Sequence, residues 1–308
     1  MFEGGKKLLG LTVHRAGVHA SLQDLGRFGY ARHGLSQGGV MDLHSYCWAN
    51  RLLENNPGCP ALEIVIGMAA FRAESDLSLA ITGADMQVKL DGVPVGNWRT
   101  FIMKRGQTLT VQAARTGMRT YLAVKGGFQV PPTLGSVSTV VRNGLGRVLR
   151  EGDLLPAGNS DSLAAVHVPP RYVPADQETI ELRVIESYQV ADFSSSALER
   201  FYQSEYLVTQ DADRMGVRLQ GPAISSPPGS LISEGIALGA IQIPADGQPI
   251  ILLNDRQTLG GYAKMGCIAR VDLAKLAQAR PGTAIRFVAV PMEQAQRDWR
   301  EFCLYFDL

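Results

Sequence analysis

The stretch GSLISEGIALGAIQIPADGQPIILLNDRQTLGGY, residues 229–262, reads as short apolar runs broken by turn residues. Ile250–Leu253 is an apolar run about one strand long. It enters a dense polar cluster, Asn254 to Thr258, closed by Gly260, Gly261 and Tyr262. Glu234, Gln242 and this cluster all fall at strand ends or turns. One turn explains one such polar end; several from one sheet are expected to converge at a barrel mouth.

The same grammar recurs along the chain. LSLAIT (residues 77–82) alternates, with Leu77, Leu79 and Ile81 on one face. MQVKLDGVPV holds an Asp91-Gly92 hairpin turn. TLTV, TYLAV, IELRVI and AIRFVAV are further strands rich in β-branched residues. KRGQTL, REGDLL and ARPGTAI each put a glycine in a turn that launches a strand. Helical patterns are few. Asp42, Asp192 and Asp272 are the expected N-caps of three, and EQAQRDWREF is a docking helix near residue 300. A parallel α/β sheet needs a helix between most strands, and those are missing. The fold class is therefore mainly β, with a few short helices and two barrel-like domains. A proline-rich connector, residues 156–179, separates them, giving expected domains of 1–165 and 166–308.

Composition bounds the function. The 308 residues carry a net charge of +1 and are 45% hydrophobic, so no basic face for nucleic acid is expected. No apolar run is long enough for a membrane helix, and the start MFEGGKKLLG has too short an apolar core for a signal peptide. The four cysteines form no CxxC pair and read as free thiols of a cytoplasmic protein. The five histidines lack ligand spacing, so no metal site is expected. Phosphate-loop, GxGxxG, HExxH and GxSxG motifs are absent.

Candidate residues lie at glycine-rich turns. In SLQDLGRFGYARHGLSQGGVMD, Asp24 and Arg27 flank Gly26, and Asp42 closes the segment. Such a loop either cradles an anion with its N–H groups or is a turn with an ion pair. Glu63 is an edge charge or a cleft carboxylate. Lys125 follows a strand, and Ser138 sits in LGSVSTVVRNGLGR among hydroxyls and arginines suited to phosphate. DADRMGVRL adds Arg214 before a strand.

In order, SLQDLGRFGY, GGVMD, ALEIVIG, YLAVKGG, LGSVST, DRMGVRL, the 234–262 block and DLAKLAQARPG resemble the biotin-dependent carboxyltransferase-like family, which includes allophanate hydrolase subunit 2 and the C subunit of 5-oxoprolinase. The resemblance implies two tandem cyclophilin-like β-barrels. It implies two partners, the B and A subunits, and ATP-dependent hydrolysis of 5-oxoproline to glutamate, with the lactam activated by phosphorylation. ATP, with Mg, would enter at the level of the complex. Two alternatives follow from the same family: biotin-dependent carboxyl transfer to urea or another small amide, and non-enzymatic binding of a kinase inhibitor that resembles the B subunit. Phosphoryl transfer needs cations and N–H donors more than covalent chemistry. On that ground Arg256, Arg214, Asp24 and Lys264 are the expected catalytic groups. Arg27, Asp42, Glu63, Lys125, Ser138, Glu234, Asp255, Gln257 and Tyr262 are the expected substrate contacts. The chain departs from the family at Ser187-Tyr188, at Ala263 and at Gln37-Gly38-Gly39-Val40.

Overall fold

A computed structural model describes residues 9–158, 160, 164–227 and 232–308. The first eight residues, part of the proline-rich connector and the start of the 229–262 stretch lie outside the described residues.

The architecture is mainly β, as the strand grammar requires, with four α-helices among the described residues. The chain divides into two compact units. Among the described residues, one comprises those within 9–25, 44–141 and 145–175; the other comprises those within 26–43, 142–144 and 176–308.

The first unit holds a six-stranded and a five-stranded sheet. In the five-stranded sheet Leu77–Asp85 runs between Thr116–Val124 and Arg99–Met103. Leu77, Leu79 and Ile81 are fully buried, as alternation predicts. Ser78, Ala80 and Thr82 are fully buried too, so this strand is covered on both faces. Asp91 (φ 46°) and Gly92 (φ 85°) are both left-handed, which is the hairpin turn whose twist matches its flanking strands.

In the second unit seven strands close into a barrel. Closure joins Thr179–Glu186 to Ala284–Ala289 in parallel, and every other pairing in the ring is antiparallel. Ile241, Ile251, Met265 and Phe287 fill the interior. Phe201, from helix α2 (Ser195–Gln203), stacks on Phe287 at 4.4 Å. The opposite wall of the barrel is also covered: Ala240, Ile250 and Leu252 pack with Ile236 in a second cluster. Two-sided burial explains why these strands read as continuous apolar runs. Alternation puts Gln242 on the same face as Ala240, and Gln242 pairs across the ladder with Lys264. Two polar side chains therefore stand on a covered outer wall.

The three glycine turns are one device used in both units. Gln107 N donates to Lys104 O, Asp153 N to Arg150 O, and Thr283 N to Arg280 O, at 3.0, 3.1 and 2.9 Å. Gly106, Gly152 and Gly282 take φ of 88°, 86° and 88°, where a side chain is strained.

Two expected helix caps are corrected. Ser194, not Asp192, caps α2: its Oγ accepts from Ala197 N at 3.2 Å, while Asp192 ends a preceding 3-10 turn. Asp272 precedes α3 (Leu273–Gln278) but makes no capping bond. Its carboxylate instead accepts from Arg183 Nε and Nη2 at 2.8 and 3.0 Å. A charged pair outcompetes the weaker bond to a backbone N–H.

Candidate functional site

The polar cluster at residues 254–258 does not serve only its own turn. Asn254 Nδ2 donates to Gly38 O and Val40 O, both at 3.0 Å, and Gly38 N returns a bond to Asn254 O. Ser36 Oγ donates to Arg256 O at 2.8 Å. The strand end thereby clamps the glycine-rich segment 26–40. Asp255 pairs with Arg214, Nε to Oδ2 and Nη2 to Oδ1 at 3.0 Å each, and Arg214 Nη2 also donates to Gly39 O at 2.7 Å. Asp255, an expected substrate contact, is thus paired with Arg214.

This clamp shapes a cavity of about 90 Å³. Arg27, Ser36, Gln37, Arg256, Gln257 and Thr258 line it with polar groups, and Phe28 and Ile236 add apolar surface. No acidic residue among the described residues lines it. Arg256 is steered by two carbonyls: Nε donates to Ile236 O at 3.0 Å and Nη1 to Leu253 O at 3.2 Å. Burial lowers its pKa, and no carboxylate offsets this.

A second cluster lies at the outer wall of the barrel. Glu234 forms an ion pair with Lys264 Nζ. Its carboxylate also accepts from Tyr188 Oη at 2.6 Å and from Gln189 Nε2 at 3.0 Å. Gln189 Oε1 accepts from Lys264 N at 2.8 Å, and Ser187 Oγ donates to Lys264 O at 2.5 Å. Hydrogen bonds from Lys264, then Tyr188, hold the Glu234 carboxyl below its usual range. The hydrogen bond to Glu234 pushes the Tyr188 phenol up. Gln242 is 1% exposed, and its Nε2 has no hydrogen-bond partner among the described residues. A buried amide N–H left unbonded is costly, so it marks a place where a ligand acceptor is welcome. Gly260 faces it: a Cβ there would come within 3.0 Å of Gln242 Nε2 and 2.6 Å of Ile236 Cδ1. Arg256 and Lys264 both act on the Cys267 thiol, lowering a pKa that burial raises, so the two clusters share a neighbourhood.

The remaining expected residues take other places. In the first unit Asp24 accepts from Ser136 Oγ at 2.6 Å, Ser138 Oγ at 2.5 Å and Val137 N at 2.8 Å, bracing that loop. Glu63 is not a solvent-facing edge charge. It is fully buried, accepts from Tyr121 Oη at 2.7 Å and lies 3.9 Å from Arg119 Nε. Lys125 Nζ donates to Leu53 O at 2.5 Å, just beyond helix α1 (Leu43–Leu52), and pairs with Glu54 at 3.1 Å. That is a helix C-terminal contact. In the second unit Asp42 accepts from Gln278 Nε2 at 2.7 Å, and Tyr262 is half exposed.

Gln242, expected at a strand end or turn, lies within the strand Ala240–Ile243 on the outer wall, and the sequence did not point to Gln189 or Ile236. Gln242 carried a signal, a lone amide inside an apolar strand. Gln189 carried none, because its neighbours come from distant strands.

Residues 33–289, which include this wall and Arg256, match the family described as carboxyltransferase domain, subdomain A and B. The chain is a member of that family. It is 36% identical to the 5-oxoprolinase C subunit of Escherichia coli over 96% of both chains. It is 35% identical to the Haemophilus influenzae 5-oxoprolinase C subunit over 94% of both. The crystal structure of K. lactis urea amidolyase superposes with a TM-score of 0.88 at 27% identity, covering 98% of this chain and 20% of that one.

Proposed function

We propose that this chain is the C subunit of an ATP-dependent 5-oxoprolinase, active in complex with the B and A subunits. One observation carries the reading: the likeness to the 5-oxoprolinase C subunit runs end to end in both chains, 96% of each. The urea amidolyase likeness uses only a fifth of that larger protein.

The chemistry asks for little covalent work. A lactam is a resonance-stabilised amide. Its carbonyl oxygen takes the terminal phosphoryl group of ATP, and ADP leaves. Water then adds at the ring carbon, the C–N bond opens to give an open-chain acyl phosphate with a free amine, and a second water releases phosphate to give glutamate. In this reading Gln242 Nε2 donates to the lactam oxygen, as its unbonded, buried N–H invites. Lys264 supplies positive charge beside it, and Glu234 holds Lys264 in place. Buried, preoriented donors of this kind stabilise developing charge without reorganising. Arg256 serves the charged part of a substrate, and Arg214 keeps the loop in position.

The test is co-expression with the B and A subunits, followed by an assay of ATP-dependent glutamate release from 5-oxoproline. Unchanged activity when this chain is omitted overturns the proposal. The superposition on urea amidolyase favours a second reading, biotin-dependent carboxyl transfer to a small amide. Activity abolished by avidin selects that reading over the first.

A further inference from the structure

We propose that the cavity at Arg27 and Arg256 is an oxyanion pocket, taking a carboxylate or phosphoryl group that the ligand presents to Arg256. The pocket is positively charged. Two arginines and no acidic residue line it among the described residues. Arg256 makes no ion pair among the described residues; its hydrogen bonds go to the carbonyls Ile236 O and Leu253 O. Guanidinium groups stay charged even when burial lowers their pKa. A charge held this far from water is ordinarily paired.

Its surroundings add positive charge. Arg270 is close enough for Arg256 to lower its pKa, although burial is the larger cause. The Arg270 guanidinium lies over the Trp299 ring, 5.5 Å from its centroid, and forms no ion pair among the described residues. Ser36, Gln257 and Thr258 supply neutral polar groups within the same cavity. At about 90 Å³ the space is several times the ~10–15 Å³ that a water requires, enough for a planar or tetrahedral oxyanion.

The candidate anion has two sources. One is the carboxylate of 5-oxoproline, and the choice of this probe rests on the function proposed above. The other is a phosphoryl group. Thermal unfolding of the full chain separates them. Three probes are compared: 5-oxoproline, pyrrolidinone (the same ring without the carboxylate) and inorganic phosphate. Stabilisation by 5-oxoproline but not by pyrrolidinone identifies the carboxylate; stabilisation by phosphate alone identifies the phosphoryl group. Either way Arg256→Gln is expected to weaken the effect about ten-fold in apparent affinity, the scale of one charged hydrogen bond. Arg256→Lys retains charge but not the planar fork, so its loss is smaller, and it decides the matter if the glutamine variant does not fold. The proposal fails if neither anion stabilises the chain, if pyrrolidinone stabilises it as much as 5-oxoproline does, or if both Arg256 variants bind anions as the parent does. A complex that binds anions here yet releases no glutamate removes the proposed function and leaves the pocket.

Discussion

Arg214 and Asp255 meet side-on through two 3.0 Å hydrogen bonds, with side chains only 12% and 9% exposed. This pair, and not the neighbouring Arg256, is what locks the strand end to Gly39. Residues adjacent in sequence thus have different tasks: Asp255 is consumed by structure, while Arg256 faces the cavity.

That division makes Arg214 and Asp255 matter for stability. Removing one partner of a largely buried pair leaves the other charge stranded. We expect Arg214→Ala and Asp255→Ala each to cost about 3 kcal/mol. The urea midpoint measures it, and a loss near zero would show that the pair is dispensable.

Gly260→Ala is expected to reduce activity more than stability. Its φ is ordinary, so the constraint is space: the new methyl meets Ile236 Cδ1 and Gln242 Nε2. Ile236 can turn away at small cost, but the amide is displaced from the place where it would meet a ligand. Equal kcat and KM in variant and parent would remove Gln242 from the site.

Gly106→Ala and Gly152→Ala form a control. A methyl added at either position meets no atom within 4 Å, so only left-handed backbone strain remains. Each should lose roughly 1–2 kcal/mol, without loss of activity beyond the unfolded fraction. A much larger loss in calorimetry would mean these turns carry contacts beyond their backbone geometry.

Acid should loosen the second unit. Burial raises the Asp272 carboxyl, but hydrogen bonds from Arg183 outweigh it and leave the pKa lowered. Arg183 is likewise the main cause of the lowering at Asp298. Carboxyls with a depressed folded-state pKa contribute stability that is complete above their unfolded value, about 3.9, and is lost as pH falls through the folded value. Arg183→Gln should therefore flatten the acid limb of the stability curve below about pH 4. Unfolding midpoints across pH check it.

The mainly β architecture was legible because strand length, turn glycines and missing helices are local properties. KRGQTL, REGDLL and ARPGTAI announced a shared turn that the structure has at all three places. What stayed hidden is pairing across long separations. Asp272 and Asp192 look like helix caps until Arg183 and Ser194 are placed beside them. Asp24 looks like a catalytic group, and Glu63 and Lys125 like substrate contacts, until their hydrogen bonds to nearby serines, Tyr121 and Leu53 are seen. Of the expected site residues, Lys264 and Glu234 meet at one cluster, and Arg27, Arg256 and Gln257 meet at the cavity. A departure noted at Ser187-Tyr188 proved to touch that first cluster directly, through Glu234 and Lys264 O.

The barrel closes through a single parallel pairing between its earliest and latest strands, Thr179–Glu186 and Ala284–Ala289. On a ribosome the first of these must wait, unpaired on that edge, until about a hundred further residues have emerged. Loop closure over such a separation is slow, and exposed edges in the interval invite wrong partners. The last strand is thus a timing element as well as a wall, and shortening the chain before Ala284 should leave an open, sticky sheet rather than a smaller barrel.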